Sequence, residues 1–349
     1  MSSSAPTPPA ARGWREGDPV GRRQWFDGTL PGLPVRLAYE TWGSLNADRS
    51  NAVLVEHALT GDSHVSGVVE PGHPTPGWWN GLVGPGLALD PAEWFVVAPN
   101  VLGGCQGSTG PWSTAPDGQP WGDRFPRVSV RDQVAAEVLL ADHLGIASWA
   151  SVLGGSMGGM RALEWAVTWP DRVRSLLVLA GPAASSAENI ALASPQLHAI
   201  ALDPVGGLGV ARRIAHISYR SEPELAARFG RDVQPDGRFA VESYLDHHAA
   251  KLITRFDPAS YVVLTEAMNG HDVGRGRGGV AAALRRVTAR TIVAGIDSDR
   301  LYPLSMQAEI AAAIPSADHL RVVASPYGHD GFLIEIDQVS ALVRELLKV

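Results

Sequence analysis

Residues 152–159 read VLGGSMGG: an apolar run enters a serine set among four glycines, and a helix-like pattern, MRALEWAVTW, follows at once. A chain gives up side chains at this density only where it bends sharply or where another backbone passes close to it. Gly154, Ser156 and Gly158 satisfy GxSxG, and a strand before the motif with a helix after it is the setting that turns the serine oxygen outward. The first amides of the following helix, beginning with Met157, are then free to face a developing oxyanion. A glycine-rich turn with an incidental serine is the plain alternative, and the strand-to-helix context decides against it.

Outward from this turn, short apolar runs alternate with helical patterns. PVRLAYETW, AVLVEH, WFVVAPN, WASVLGG, RSLLVLAG, TIVAGI and LRVVAS read as strands. SVRDQVAAEVLLADHLG and MGGMRALEWAVTWP read as helices, the second stopped by Pro170. Such alternation predicts a parallel sheet covered by helices on both faces. From about Ala183 to Ala289 the strands vanish and the text is helical or loop-like. The expectation is a loose segment over 1–20, an α/β core over 21–182 and 290–349, and a helical lid over 183–289 set above the carboxyl edge of the sheet, where ligands bind in such folds.

The 349 residues carry 29 Lys plus Arg against 36 Asp plus Glu, a net charge of −7. No basic run offers a surface for nucleic acid. The opening MSSSAPTPPAARGWREGDPV has no apolar leader, and no run approaches the roughly 18 apolar residues of a membrane span, so a cytoplasmic protein is expected. A single cysteine, Cys105, excludes an intrachain disulfide and a multi-cysteine zinc site. No metal is expected: His247 and His248 are adjacent rather than one helical turn apart.

A serine hydroxyl is a weak nucleophile until a base takes its proton. GIDSDRLYP ends one late strand in Asp297 and Asp299, and SPYGHDGFL follows the next strand with His329, which is the chain order this fold uses. Residues two apart in extended chain sit about 7 Å apart, so one aspartate reaches the imidazole. Asp299 is preferred for its spacing to Pro303, which resembles the acid loop of α/β-hydrolases, with Asp297 as the alternative. His57 opens a loop after an early strand, where the second oxyanion amide is expected from Leu59. Cys105 has no strand-to-helix turn of its own and reads as a packed thiol.

NAVLVEHALTGDSHV, GWWNGLVGPG, NVLGGCQGSTGP, LGGSMGGMRALEWA, VESYLDHHAAKLITRFD, GIDSDRLYPL and YGHDGFL together resemble the homoserine O-acetyltransferase family, from about residue 34 to the end. The resemblance implies an α/β-hydrolase fold with an inserted helical lid. It implies ping-pong acetyl transfer from acetyl-CoA, a co-substrate with no permanently bound cofactor, to the γ-hydroxyl of L-homoserine in methionine biosynthesis. Ser156 would carry the acetyl group, His329 would move the proton and Asp299 would hold the imidazole. Arg212 would take the homoserine carboxylate, Asp330 its ammonium group, and Tyr219 would be a further contact. A homodimer through the lid is expected on the same ground.

Two departures bear on these expectations. Around Val205–Gly207 the chain is shorter than the family pattern, and Trp112 stands where small residues are common. Rival readings are a succinyl-CoA-dependent transferase, whose extra carboxylate would want a cation near Ser156 for which Arg131 and Arg161 are the arginines to place, a serine-directed transferase, and a plain serine esterase or thioesterase. Arg275 and Arg277 of VGRGRGG are candidates for the phosphates of coenzyme A.

Overall fold

The computed structural model describes residues 12–348. Eight strands form one sheet: β1 (Gln24–Leu30), β2 (Leu33–Trp42), β3 (Ala52–Glu56), β4 (Phe95–Pro99), β5 (Ser151–Gly155), β6 (Ser175–Leu179), β7 (Arg290–Ile296) and β8 (Ala317–Val323). Their order is β1-β2-β4-β3-β5-β6-β7-β8; β1 and β2 are antiparallel to their neighbours and the remaining strands are parallel. The sequence reading missed β1. Its side chains are exposed or half-buried without strict alternation, Trp25 and Phe26 both being half-buried, and Gly28 and Asp27 dilute the apolar signal of an edge strand.

The central strands are apolar throughout because both of their faces are covered. Period two sorts them: Leu54, Val152, Leu176, Val178 and Val293 enter one core, while Val53, Val55, Leu153, Leu177, Leu179 and Ile296 enter the other. The helices are α1 (Val130–His143), α2 (Met157–Thr168), α3 (Ala187–Leu202), α4 (Pro204–Tyr219), α5 (Glu222–Phe229), α6 (Ala240–Ile253), α7 (Pro258–Asn269), α8 (Val280–Leu284), α9 (Leu304–Ala313), α10 (Gly331–Ile334) and α11 (Ile336–Leu347). The first core includes Ala136, Leu163 and Ile310 of α1, α2 and α9; the second includes Phe332, Val339 and Val343 of α10 and α11.

Between β6 and β7 lie α3 to α8. Val273, Ala283, Leu284 and Val287 pack into the same core as Val178 and Val293, so residues 273–289, read from sequence as lid, belong to the α/β body. The shortened connection has become a single residue, Asp203, whose carboxylate accepts from the amides of Val205 and Gly206 and caps α4 as α3 ends.

The loose segment expected over 1–20 needs correction for its described part, and residues 1–11 lie outside the described residues. Trp14 is buried, its amide donates to the Cys105 carbonyl at 2.9 Å and its indole to Pro19 at 3.1 Å. The Trp112 indole meets the Trp14 ring edge-on and donates to the Gly104 carbonyl, while Arg15 lies over it and pairs with Asp257. The departure at Trp112 thus has a structural reason. It clamps a segment whose polar composition disguised its anchors.

Candidate active site

The turn after β5 is as crowded as its glycines suggest. A Cβ on Gly154 would stand 2.1 Å from the Gly158 carbonyl oxygen, and one on Gly158 2.1 Å from that of Glu56. Ser156 itself is held at φ +59°, a sparsely populated conformation for a residue with a side chain. Its amide donates to Leu179, and its carbonyl accepts from Met160 to start α2.

The Ser156 hydroxyl lies 2.9 Å from His329 Nε2, and His329 Nδ1 lies 2.7 Å from Asp299 Oδ2. The carboxylate can only accept, so Nδ1 carries the proton and Nε2 is left to accept from the hydroxyl. Asp299 is oriented by its other oxygen, which accepts from the amides of Leu301 and Tyr302. Asp297 turns elsewhere: its Oδ1 accepts from the Ser325 amide and ties the β7 loop to the β8 loop. Burial alone would lower the His329 pKa; the Asp299 charge, its hydrogen bond and the Asp330 charge outweigh this and hold it above the usual range.

Met157 opens α2 directly behind Ser156, and Leu59 lies in the loop that leaves β3. That loop is tightly held. His57 Nδ1 donates to the Ala58 carbonyl at 2.7 Å, so Nε2 accepts from the Val101 amide at 3.0 Å; burial and then the nearby Arg161 keep the ring neutral, pushing its pKa down to about 3. The Thr60 carbonyl accepts from Arg255 at 2.9 Å.

The lid contributes a second cluster. Arg212 and Tyr219 both stand on α4, with the guanidinium 5.8 Å from the Tyr219 ring centre, and the Tyr219 ring is 5.7 Å from that of His329. Arg212 touches Thr60 Oγ1 at 3.5 Å, and its Nε is buried without an acceptor among the described residues. With His216, His248, Lys251, Arg255 and Asp330 it borders a cavity of about 230 Å³. Burial first and Arg212 second push His216 down to about 2 and His248 to about 4, so both are neutral near pH 7. Asp330 is already engaged by Arg220 at 3.2 Å, and burial keeps its carboxyl raised despite His329, Arg212 and Arg220.

Arg220 was not singled out in the sequence, although SEPE at 221–224 is a helix-start signature and Arg220 pairs with Glu224 four residues on. The α4 end is fastened to the histidine loop: Gly328 lies so close to the Tyr219 carbonyl that a Cβ would come within 2.4 Å, and Ser221 Oγ donates to Pro326.

Other candidates are placed elsewhere. Arg161 is fully buried between Glu56 and Glu137, and Arg131 reaches Glu164 and the Asp272 and Arg275 carbonyls, so neither is a free cation beside Ser156. Arg277 is committed to Glu164 and Thr168 and is not available for a phosphate. Cys105 is buried, which pushes its thiol up to about 12 and leaves it unreactive. Glu40, His64 and His73 do gather, with potential ligand atoms within 4.8 Å, but the two imidazoles stack 3.9 Å apart. Their lone pairs therefore do not converge on one point. Glu40 instead accepts from Ser63 and His64, and His73 Nε2 accepts from the Arg22 amide.

A small cavity of about 50 Å³ is bordered by Leu59, Gln196, Tyr219, Tyr261, Thr265 and Tyr302, with no charged residue in its lining. The Tyr302 ring is 5.3 Å from that of His329. A wider groove of about 780 Å³, between the 111–128 loop and helices α3 and α7, contains none of the predicted site residues.

The family model for the α/β hydrolase fold matches residues 51–335. The chain is 65% identical to a homoserine O-acetyltransferase of Thermobifida fusca, over 99% of this chain and 98% of that relative, and 53% identical to one of Mycobacterium tuberculosis, over 90% and 88%. Among solved structures, a homoserine O-acetyltransferase from Bacillus anthracis superposes with a TM-score of 0.85 at 25% identity, covering 94% of this chain and 97% of that one. An acetylester hydrolase from Corynebacterium glutamicum superposes at 0.80 with 28% identity over 94% and 97%.

Proposed function

The chain belongs to the homoserine O-acetyltransferase family, acyltransferases built on the α/β-hydrolase fold, and from that premise we propose how its residues divide the chemistry. Ser156 Oγ attacks the thioester carbonyl of acetyl-CoA while His329 Nε2 takes its proton, and the resulting oxyanion is met by the amides of Met157 and Leu59. Collapse breaks the carbon–sulfur bond, the thiolate leaves with the proton from His329, and Ser156 carries the acetyl group. Homoserine then binds with its carboxylate on Arg212 and its ammonium on Asp330. Its γ-hydroxyl passes a proton to His329, attacks the acetyl carbon, and Ser156 is released with that proton restored.

One observation carries the reading: His329 spans Ser156 and Asp299 at hydrogen-bond distance, beside a cavity that pairs a carboxylate with a guanidinium whose Nε has no acceptor among the described residues. A planar guanidinium suits a carboxylate, and the substrate ammonium adds a further positive neighbour to the one Arg220 already gives buried Asp330. Acetyl rather than succinyl as donor is supported by the commitment of Arg131 to Glu164 and of Arg161 to Glu56 and Glu137, which leaves neither to neutralise a second carboxylate.

The rival is hydrolysis, which the acetylester hydrolase of similar fold represents. A transferase must hold its acceptor against bulk water, and the Arg212–Asp330 pair provides the means. Thiol release from acetyl-CoA, followed with and without homoserine, tests this: release should accelerate with homoserine and O-acetylhomoserine should accumulate in equal amount. Equal rates would leave an esterase. The lid also exposes Ile190, Leu202, Val210 and Ile217 on α3 and α4, Leu202 at 90%, which supports a homodimer formed there. Light scattering of Leu202→Lys should report a monomer, and an unchanged dimer would remove the lid as the interface.

A further inference from the structure

The sheet side of the site contains a buried charge cluster that the chemistry above does not use. Arg161 stands on α2, one helical turn after Met157, and is fully buried. One guanidinium nitrogen lies 2.8 Å from Glu56 and 2.7 Å from Glu137; the other donates to the His57 carbonyl at 2.8 Å. Glu56 is the last residue of β3, Glu137 belongs to α1 and is fixed further by the Trp165 indole at 2.9 Å, and His57 opens the loop that carries Leu59.

We infer that Arg161 is a positioning residue that sets the distance between the Met157 and Leu59 amides. The inference rests on the reading of those two amides as the oxyanion cradle. Met157 and Arg161 share one helix, so the guanidinium moves with the first amide. Its bond to the His57 carbonyl grips the second amide's loop two residues upstream of Leu59. The neighbouring carbonyls of that loop are also engaged, Ala58 by the His57 ring and the Gly61 amide, Thr60 by Arg255. The Leu59 amide has no acceptor among the described residues. It is left available between fixed neighbours.

Charge explains why an arginine does this. Burying a guanidinium is costly without partners, and burying two carboxylates together is costly without a cation. Glu56, held raised first by burial and also by Glu137 against the lowering effect of Arg161, is the third member of this buried group. The planar fork meets two carboxylates and a carbonyl at once, whereas an ammonium offers a point charge in their midst. A lysine at 161 keeps the charge and loses the grip on His57.

The test compares a tetrahedral mimic with the ground state. An alkylboronic acid forms an adduct with the serine oxygen and places a boron-bound oxygen where the oxyanion would sit; homoserine binding reports the Arg212–Asp330 side. In Arg161→Lys, boronate affinity and the rate of serine acetylation from p-nitrophenyl acetate should fall together by about 10- to 100-fold, as for a donor misplaced by a fraction of an ångström. Homoserine affinity and the pH midpoint of the acylation rate should stay within about twofold. Glu137→Gln, which keeps the shape of the cluster, should show the same pattern more weakly.

Boronate affinity unchanged in a folded Arg161→Lys, or lost in proportion to homoserine affinity, would overturn the proposal. So would failure of both variants to fold, which would assign the cluster to stability alone. Leu59→Pro, which deletes the amide hydrogen, separates the two levels. If it leaves the boronate unaffected, the cradle reading fails; if it weakens the boronate while Arg161→Lys does not, the cradle stands and only the role of Arg161 falls.

Discussion

On the sheet side of the site, charges meet partners: His329 has Asp299 at 2.7 Å, and Arg161 has Glu56 and Glu137 within 2.8 Å. On the lid side Arg212 has no carboxylate within ion-pair distance among the described residues, and Arg212 Nε, Arg255 Nε and His216 Nε2 are buried without acceptors. The first arrangement has its charges paired before any ligand arrives, as groups that must stabilise a transition state should be, even though Arg161 Nε and both Glu56 oxygens are buried without a hydrogen-bond partner among the described residues. The second is short of an anion. On the proposed reading its buried polar atoms gain a partner when the acceptor's carboxylate binds, which would convert their desolvation cost into binding selectivity.

The sharpest way to break this contrast is Ser156→Ala. It should lower acetyl transfer by on the order of 10⁴- to 10⁶-fold in kcat, while homoserine binding measured by calorimetry stays within about twofold. Transfer at full speed would remove the nucleophile. Next comes the choice of acid. Asp299→Asn should lower kcat by about 10³- to 10⁴-fold by releasing the imidazole's tautomer. Asp297→Ala should cost stability by leaving the Ser325 amide without its acceptor, read as a lower unfolding midpoint, with the acylation rate nearly unchanged. The reverse pattern would exchange the two aspartates.

Arg212→Met probes the lid alone. The homoserine KM should rise about 10- to 100-fold, while acetylation of Ser156, read in single turnover without acceptor, changes less than twofold. A fall in both would show the walls to be one unit.

The smallest effect expected is in pH. His329 acts as a base only when neutral, and its pKa is raised, so the acid limb of kcat/KM should lie above about 6.5. The stability linked to this histidine has the opposite sense: it is fully present below the unfolded value and is lost as pH rises through the folded one. In Asp299→Asn the limb should move down. A limb below about 6 in the unaltered protein would contradict the Asp299 contact.

The serine turn, the two late loops and the strands from β2 onward were legible because each is a local matter. Glycine density, period-two burial and a strand running into a helix are written within a dozen consecutive residues. Edge strand β1 was not legible, since half-buried residues diluted by Asp27 and Gly28 carry little period. The end of the lid was misread because α8 and its flanks pack on the body through Val273, Leu284 and Val287, and burial of a short helix does not show in composition.

By itself, then, the sequence determined the fold class, the turn that presents Ser156, and which imidazole and which pair of carboxylates could meet it. Closure of the chain decided the rest: that Asp299 rather than Asp297 faces the ring, that Arg220 engages Asp330, and that Arg161 belongs to a buried brace. The physical reason is separation along the chain. Dihedral preferences and side-chain periodicity act over a few residues, whereas a hydrogen bond between positions 161 and 57, or 299 and 329, exists only after the sheet has placed their strands side by side.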